Sequence, residues 1–180
     1  MGSRFLYFPS ELLSRAELTA ACLDGDLVGL GEGFVPADTI ETAALRAASL
    51  RPLVGDRMAA THRSAAWVHG FIDEVPVRHD LQRISAHRLH EPVDRRFVYR
   101  DPRIPDEDLI RLGGVPVTTP ARTVADLARG TDETAHSFLS QCAQRAPQAV
   151  RDAVVWLEAR RRVPRRLAAL ALLEELVRTM

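Results

Sequence analysis

The spacing of apolar residues predicts short helices and a hairpin in the amino-terminal part of the chain. Ser14 followed three residues later by Glu17 is a capping-box pattern, which predicts a helix that runs to about Leu23. The apolar period then changes, and residues 27–36 predict a β-hairpin. Two further helices are indicated: one capped by Asp38 or Thr39, with a stripe at Ile40, Ala43, Ala44 and Ala47, and one from His62 to His69 that ends at Gly70.

Strand patterns follow in the middle of the chain, and helical patterns dominate its end. Four strands that we expect to form one antiparallel sheet are predicted at residues 83–87, 96–100, 109–112 and 115–118. Four helices are predicted at residues 120–129, 133–145, 148–161 and 165–178. The predicted fold class is therefore α+β, in three parts: a helix and hairpin (1–38), an α/β domain built on a small antiparallel sheet (39–145) and a helical pair (146–180).

Composition narrows the class of protein. The 180-residue chain is 46% hydrophobic and 27% charged, which is ordinary for a globular protein. Its longest apolar run, residues 167–173, is far shorter than the roughly 20 residues of a membrane span, and no signal-peptide pattern is present. We therefore expect a cytoplasmic protein without membrane contact.

Cys22 and Cys142 each lie on the apolar stripe of a predicted helix, which predicts buried thiols rather than a disulfide.

The histidines do not form a convincing metal site. His62 and His69 share one face of a predicted helix, but seven residues at about 1.5 Å rise separate them by roughly 10 Å, too far to share one zinc ion. A looser candidate consists of His79, His87 and His90, which have no cysteine partners. We expect no bound metal.

Other patterns that could carry catalysis fail in their context. The sequence Asp24-Gly25-Asp26 follows a helix and precedes a hairpin, which is typical of a turn rather than of a magnesium site. The glycines of residues 29–33 lack the strand-to-helix setting of a dinucleotide loop, and all 24 basic residues are arginine, which excludes a Walker lysine. We expect no catalytic site and no cofactor.

The best-specified segment is the strand-to-helix corner at residues 115–129. Thr119 is placed to cap the helix, and Pro120 suits its first position, where no backbone hydrogen bond is lost. Arg122 and Asp126 are four residues apart and can pair across one turn. Such a pair usually lies on a solvated helix face, where it stabilises little. The alternative is that Arg122 locks the corner by reaching a carboxylate or backbone carbonyls.

Residues 114–128, Gly-Val-Pro-Val-Thr-Thr-Pro-Ala-Arg-Thr-Val-Ala-Asp-Leu-Ala, resemble the signature of the AbiEi-family antitoxins of type IV toxin–antitoxin systems, in the form common in actinobacteria. Residues 27–36, residues 61–71 and the acidic stretch Asp106-Glu107-Asp108-Leu109 are also similar to the family and fall in its order, so that the resemblance spans about residues 15–145. The signature positions are Thr119, Pro120, Arg122, Thr123 and Asp126.

The resemblance implies a winged helix-turn-helix followed by an α/β domain. It also implies a non-enzymatic protein that neutralises a nucleotidyltransferase-like toxin and represses its own operon. Some relatives carry a carboxy-terminal nuclease domain instead. The last 35 residues of this chain are too few for such a domain, so an inactive relic of a nuclease-bearing relative is a further alternative.

The amino-terminal part departs from the family pattern. One predicted helix precedes the hairpin, where a winged helix-turn-helix needs a supporting and a recognition helix. We therefore interpret residues 1–38 as a truncated winged helix. The hairpin tip carries Glu32 rather than arginines, and residues 1–75 hold six arginines against ten acidic residues, a net charge of −4. This charge opposes DNA binding through the wing.

Positive charge is instead concentrated near the carboxyl end. A cluster of five arginines around a predicted helix break offers bidentate donors for phosphate and is our candidate nucleic-acid contact: Arg160, Arg161, Arg162, Arg165 and Arg166. The alternative for the cluster is a solvated turn with cations at a helix end. The sequence thus supports two functions, an antitoxin-like binding protein with a protein toxin as partner, and a regulator that binds nucleic acid through these arginines.

Overall fold

The computed structural model of the chain describes residues 5–89, 94–130 and 133–180. Its first element is helix α1 (Arg15–Leu23), and the predicted capping box is present, since the Ser14 side chain accepts from the Glu17 backbone N–H and the Glu17 carboxylate accepts from the Ser14 backbone N–H. Strands β1 (Leu27–Leu30) and β2 (Gly33–Pro36) form the predicted hairpin. Both predictions are confirmed.

The main sheet has five strands and is mixed, so the expectation of an antiparallel sheet was wrong. Its strands are β3 (Met58–Ala60), β4 (His79–Arg83), β5 (Phe97–Arg100), β6 (Leu109–Leu112) and β7 (Val115–Thr118). The spatial order is β5-β4-β3-β7-β6. Pairs β3·β7 and β4·β5 are parallel, and pairs β3·β4 and β6·β7 are antiparallel. The unpredicted strand β3 joins the two halves of the sheet.

Helices cover the sheet and make up the carboxy-terminal part. They are α2 (Ala43–Ser49), α3 (Arg51–Val54), α4 (His62–Val68), α5 (Pro120–Ala128), α6 (Glu133–Arg145), α7 (Pro147–Glu158) and α8 (Arg166–Thr179). The last four agree with the predicted helices within three residues. Helix α2 is capped by Thr42 rather than by Asp38 or Thr39, and Ile40 lies before it and is exposed.

One hydrophobic core connects all three predicted parts of the chain. It extends from Leu30 and Val35 of the hairpin, through the main sheet, to Leu173 of α8. Helix α5 lies at its centre, because every residue from 122 to 128 is buried and the helix packs against α4, α6, α7 and α8. The division at residues 38 and 145 stays a prediction, and the strand-to-helix corner lies where the main sheet meets the carboxy-terminal helices.

The turn between β6 and β7 requires two glycines. Gly113 and Gly114 have φ values of 54° and 82°, in the left-handed region that other residues adopt only with strain. A Cβ on Gly113 would lie 2.1 Å from the backbone oxygen of Ala44. The turn therefore packs closely against α2, which fixes the β6·β7 hairpin relative to the helical layer.

The remaining general predictions have mixed outcomes. Cys142 is buried as predicted, and burial raises the pKa of its thiol to about 12. Cys22 is only half-buried, because α1 lies at the edge of the fold. Within residues 5–89, 94–130 and 133–180, no helix has the length and apolar character that crossing a membrane requires.

Candidate functional site

The corner between β7 and α5 is built as its sequence predicts. The Thr119 side chain accepts from the backbone N–H of Arg122 at 3.3 Å, and Pro120 occupies the first helical turn. The backbone N–H of Thr119 donates to the carbonyl of Asp108 at 2.9 Å, which ties the corner to the start of β6. Inside the corner, the hydroxyls of Thr118 and Thr123 lie 2.8 Å apart. The helix therefore begins at a fixed position relative to the sheet.

Arg122 is buried at this corner and bridges two carboxylates. It is 8% exposed, while Asp108 and Asp126 are 2% and 1% exposed. Its Nε donates to Asp126 Oδ2 at 2.8 Å, and its Nη1 donates to Asp108 Oδ2 at 2.7 Å. The interpretation of Arg122 and Asp126 as a solvated surface pair is thus contradicted by their burial. The geometry agrees with the alternative interpretation from the sequence, in which Arg122 locks the corner by reaching a carboxylate.

Asp108 links the corner to helix α7. Its Oδ1 accepts from the indole Nε1 of Trp156 at 2.7 Å and from Nη2 of Arg160 at 2.9 Å. The guanidinium groups of Arg122 and Arg160 also lie 5.0 Å and 4.3 Å from the centre of the Trp156 ring, within the range of a cation–π interaction. One carboxylate thereby gathers two arginines and a tryptophan from α5, from α7 and from the turn that follows α7.

Asp126 gathers a second set of donors on the other side of Arg122. Its Oδ1 accepts from Nη1 of Arg129 at 2.7 Å, and its Oδ2 lies 3.4 Å from the hydroxyl of Thr61, which precedes α4. The Thr61 hydroxyl also shares a hydrogen bond with His62 Nδ1 at 2.9 Å. Charged groups buried together stabilise a fold only when their hydrogen bonds are satisfied, and both oxygens of Asp126 meet this condition. We call Arg122, Asp108, Asp126, Arg129, Arg160 and Trp156 the corner network.

Three of the sequence stretches that resemble the antitoxin family meet at this network. Asp108 comes from the acidic stretch, Thr61 and His69 come from residues 61–71, and Arg122 comes from the signature. His69 Nε2 donates to the backbone oxygen of Thr118 at 2.8 Å, which adds a contact between α4 and β7. The sequence did not assign a role to Asp108, Arg129 or Trp156. Only the proximity of Asp108 to a predicted strand start could have indicated its burial.

The arginine cluster is divided between structural contacts and solvent. Arg160 bonds Asp108, and Arg166 donates through Nε to the backbone oxygen of Leu157 at 2.7 Å. Arg161, Arg162 and Arg165 are exposed in the turn between α7 and α8. Contact of this cluster with nucleic acid stays a prediction, and three of its five guanidinium groups lie at the surface where such contact requires them.

The remaining candidate groups are dispersed. His79 is buried and shares a hydrogen bond with Ser64, His87 is exposed, and His90 lies outside the described residues. Among the residues that the structure describes, no three His, Cys, Asp or Glu side chains are grouped so that they could hold a metal ion. At the hairpin tip, Glu32 pairs with Arg96 at 2.7 Å, which compensates the charge of Glu32.

Three histidines, of which His79 is buried and His62 and His69 are half-buried, predict that stability decreases in mild acid. Burial lowers the pKa of all three histidines. Nearby groups oppose this lowering in part: the carboxylates of Asp126 and Asp80 at His62, and the Thr118 carbonyl at His69. At His79 the opposing groups are Glu32 and Asp80. The folded state therefore binds fewer protons than the unfolded state below a pH of about 6.5. The free energy of unfolding should be highest near neutral pH and fall below pH 6.5, by up to about 1.4 kcal/mol per pH unit for each histidine.

Urea unfolding between pH 7.5 and 5.5 measures this dependence. The carboxylates of Asp73 and Asp94, whose pKa values are lowered by hydrogen bonds from arginine, would contribute only at lower pH. Replacing His62 with glutamine should reduce the slope, whereas the same change at the exposed His87 should leave it unaltered. A free energy of unfolding that is constant over this pH range would contradict the prediction.

Residues 58–176 match the family model described as the AbiEi antitoxin C-terminal domain. The matched region begins at β3 and ends within α8, so it contains the whole main sheet and the corner network. It starts after the hairpin and extends beyond residue 145, where the similarity seen in the sequence ended. The interpretation of residues 1–38 as a truncated winged helix stays a prediction. No curated protein matches the chain.

Proposed function

The chain belongs to the AbiEi antitoxin C-terminal domain family, and on this basis we propose that it is a non-enzymatic antitoxin that binds and neutralises a nucleotidyltransferase-like toxin protein. The observation that carries the proposal is the family match over the entire main sheet and α5 to α8. A role in repression of its own operon, which the family resemblance implies, is part of the same proposal.

The corner network supports a binding role rather than a catalytic one. Its signature side chains are engaged within the fold: Arg122 by two carboxylates, Asp126 by Arg122 and Arg129, and Thr123 by Thr118. A general acid or base must reach a substrate proton, and Asp108 and Asp126 are almost fully buried behind arginines. The signature thus holds a scaffold in shape, and recognition of a toxin falls to side chains on its surface.

Co-expression with nucleotidyltransferase-like toxins, beginning with any that is encoded beside its gene, tests the proposal. The wild-type chain should restore growth of cells that express the toxin and should copurify with it. The variant Arg122→Met should lose both effects because its scaffold is destabilised, whereas Arg88→Met should keep them, since Arg88 is exposed and pairs at the surface with Asp101. A chain that is folded but neither restores growth nor binds any of these toxins would overturn the proposal.

The second candidate function is nucleic-acid binding through the arginine cluster, which is favoured by the exposure of Arg161, Arg162 and Arg165. The dependence of binding affinity on salt concentration distinguishes nucleic-acid binding from toxin binding. Contacts with phosphates weaken by orders of magnitude between about 50 and 200 mM salt when roughly six or more are made. The affinity of an apolar protein interface changes little over this range. Affinities measured at both salt concentrations therefore show whether a partner is bound as a nucleic acid or as a protein.

A further inference from the structure

A cavity of about 450 Å³ opens beside the corner network and is not used by the proposed antitoxin function. It lies between the ends of strands β4 and β5, the start of α4, and α5. Pro164, in the turn after α7, closes one side of it. Among the polar side chains that line it are His62, Gln82, Arg100, Arg122, Asp126 and Arg129.

The lining carries an excess of positive charge. Arg100, Arg122 and Arg129 contribute three guanidinium groups, whereas Asp126 is the one carboxylate in the lining. Both oxygens of Asp126 already accept hydrogen bonds from Arg122 and Arg129. Burial lowers the pKa of Arg129, and the negative charge of Asp126 opposes this lowering. The positive charges of Arg122 and Arg100 lower the pKa of Arg129 further. The arginines thus repel one another across the cavity, and a bound anion would relieve the repulsion.

One donor at the cavity has no acceptor. Arg100 Nε is buried and has no hydrogen-bond partner within the described part of the chain. Nη2 of the same side chain donates to Asp80 Oδ1 at 3.2 Å, and Asp80 also pairs with Arg63 at 3.3 Å. Buried donors are rarely left unpaired in folded proteins, and each such case calls for an explanation. The Arg100 side chain as a whole is 40% exposed and lines the cavity, so an oxyanion there can contact its accessible part.

The backbone at the cavity is also strained. His62, at the start of α4, has φ of 47°, and Arg165 is the one other non-glycine residue of the described chain with a positive φ. Residues held in such conformations cluster at ligand-binding and active sites, because the surrounding structure must impose them. The Thr61 hydroxyl, which touches both His62 and Asp126, connects this strained turn to the corner network.

We propose that this cavity binds an oxyanion of the phosphate class, either inorganic phosphate or the phosphate of a small phosphomonoester, with Arg100 as its principal ligand. The guanidinium fork of arginine matches the geometry of phosphate oxygens and forms charge-assisted hydrogen bonds with them. Arg129 also lines the cavity and adds positive charge. Because the ligand would connect β5 to α5, its binding stabilises the fold around the corner network. This inference does not rest on the antitoxin function.

Thermal unfolding of the full chain tests the site with inorganic phosphate as the probe. Phosphate is titrated to 10 mM at pH 7.5 with sodium chloride adjusted to hold the ionic strength constant, and adenosine monophosphate and adenosine are measured in parallel. The wild-type Tm should rise with phosphate and with adenosine monophosphate, and it should not rise with chloride or adenosine. Calorimetric titration then gives the Kd for each anion.

Two variants decide which residue binds. Arg100→Gln should weaken phosphate binding by about tenfold or more, because it removes a charge-assisted hydrogen-bond donor. Arg88→Gln, at an exposed surface pair, should bind like the wild type. Each variant is compared with its own phosphate-free Tm, so that a general loss of stability does not affect the comparison, and Arg100→Lys should bind with intermediate affinity. The proposal is overturned if the wild-type Tm responds equally to chloride, if neither phosphate compound binds, or if Arg100→Gln binds phosphate as well as the wild type does.

Discussion

Replacing Arg122 with methionine should lower the free energy of unfolding by about 3–5 kcal/mol, the usual cost of removing one partner from a buried ion pair. Methionine fills much of the arginine side-chain volume but donates no hydrogen bond. Asp108 and Asp126 would both lose their central cation while remaining buried. Urea unfolding at pH 7.5 measures the change, which should appear as a lower midpoint with an unaltered slope.

The matched control for this variant is Arg88→Met. Arg88 also pairs with a carboxylate, that of Asp101 at 3.2 Å, but its side chain is 84% exposed. Exposed ion pairs contribute at most about 1 kcal/mol, so this variant should unfold close to the wild-type midpoint. Equal stability of the two variants would mean that Arg122 does not lock the corner, and the structural role assigned to the family signature would then be wrong.

The sequence predicted the elements whose signals are local. Three such elements lie in the structure where they were predicted, and each depends on residues within one turn of chain: the capping box at Ser14, the Gly113-Gly114 turn and Pro120 at the start of α5.

Strand β4 was placed too late, at residues 83–87, because its polar residues Asp80 and Gln82 are buried. Their burial depends on Arg63, Arg100 and the Pro102 carbonyl, which are distant in sequence.

The mixed topology of the sheet was missed for a similar reason. Strand β3 has three residues, Met58 to Ala60, all of them buried. A run this short carries no period that distinguishes a strand from a loop, yet it pairs with both β4 and β7. Because the chain reaches β3 before it forms the β6·β7 hairpin, the parallel pairing is a contact between distant segments. The pattern within each segment could not predict it.

The site was recognised in sequence but its burial was not. Spacing alone allowed Arg122 and Asp126 to form either a surface pair or a corner lock, and the partner that decides between them is Asp108, fourteen residues earlier. Trp156 comes from α7 and Arg160 from the turn that follows it, both beyond the end of the similarity seen in the sequence. The corner network therefore includes residues of the predicted carboxy-terminal part, and the family match extends to residue 176.

Asp108 provides the second test of this unit, and Asp108→Ala should lower the free energy of unfolding by about 3 kcal/mol. The change removes the acceptor shared by Arg122, Trp156 and Arg160, and it leaves the buried indole N–H of Trp156 without its partner. The effect should be smaller than that of Arg122→Met, because Arg122 keeps Asp126.

The control for Asp108→Ala is Asp106→Ala, two residues away. The Asp106 side chain is 84% exposed and pairs with Arg103, so its loss should change the free energy of unfolding by no more than about 0.5 kcal/mol. The double variant Asp108→Ala with Arg122→Met should lose less free energy of unfolding than the sum of the two single variants, because both substitutions remove the same ion pair. Additive losses would show that Arg122 and Asp108 act independently, and the corner network would then not be the connection between the sheet and helix α7.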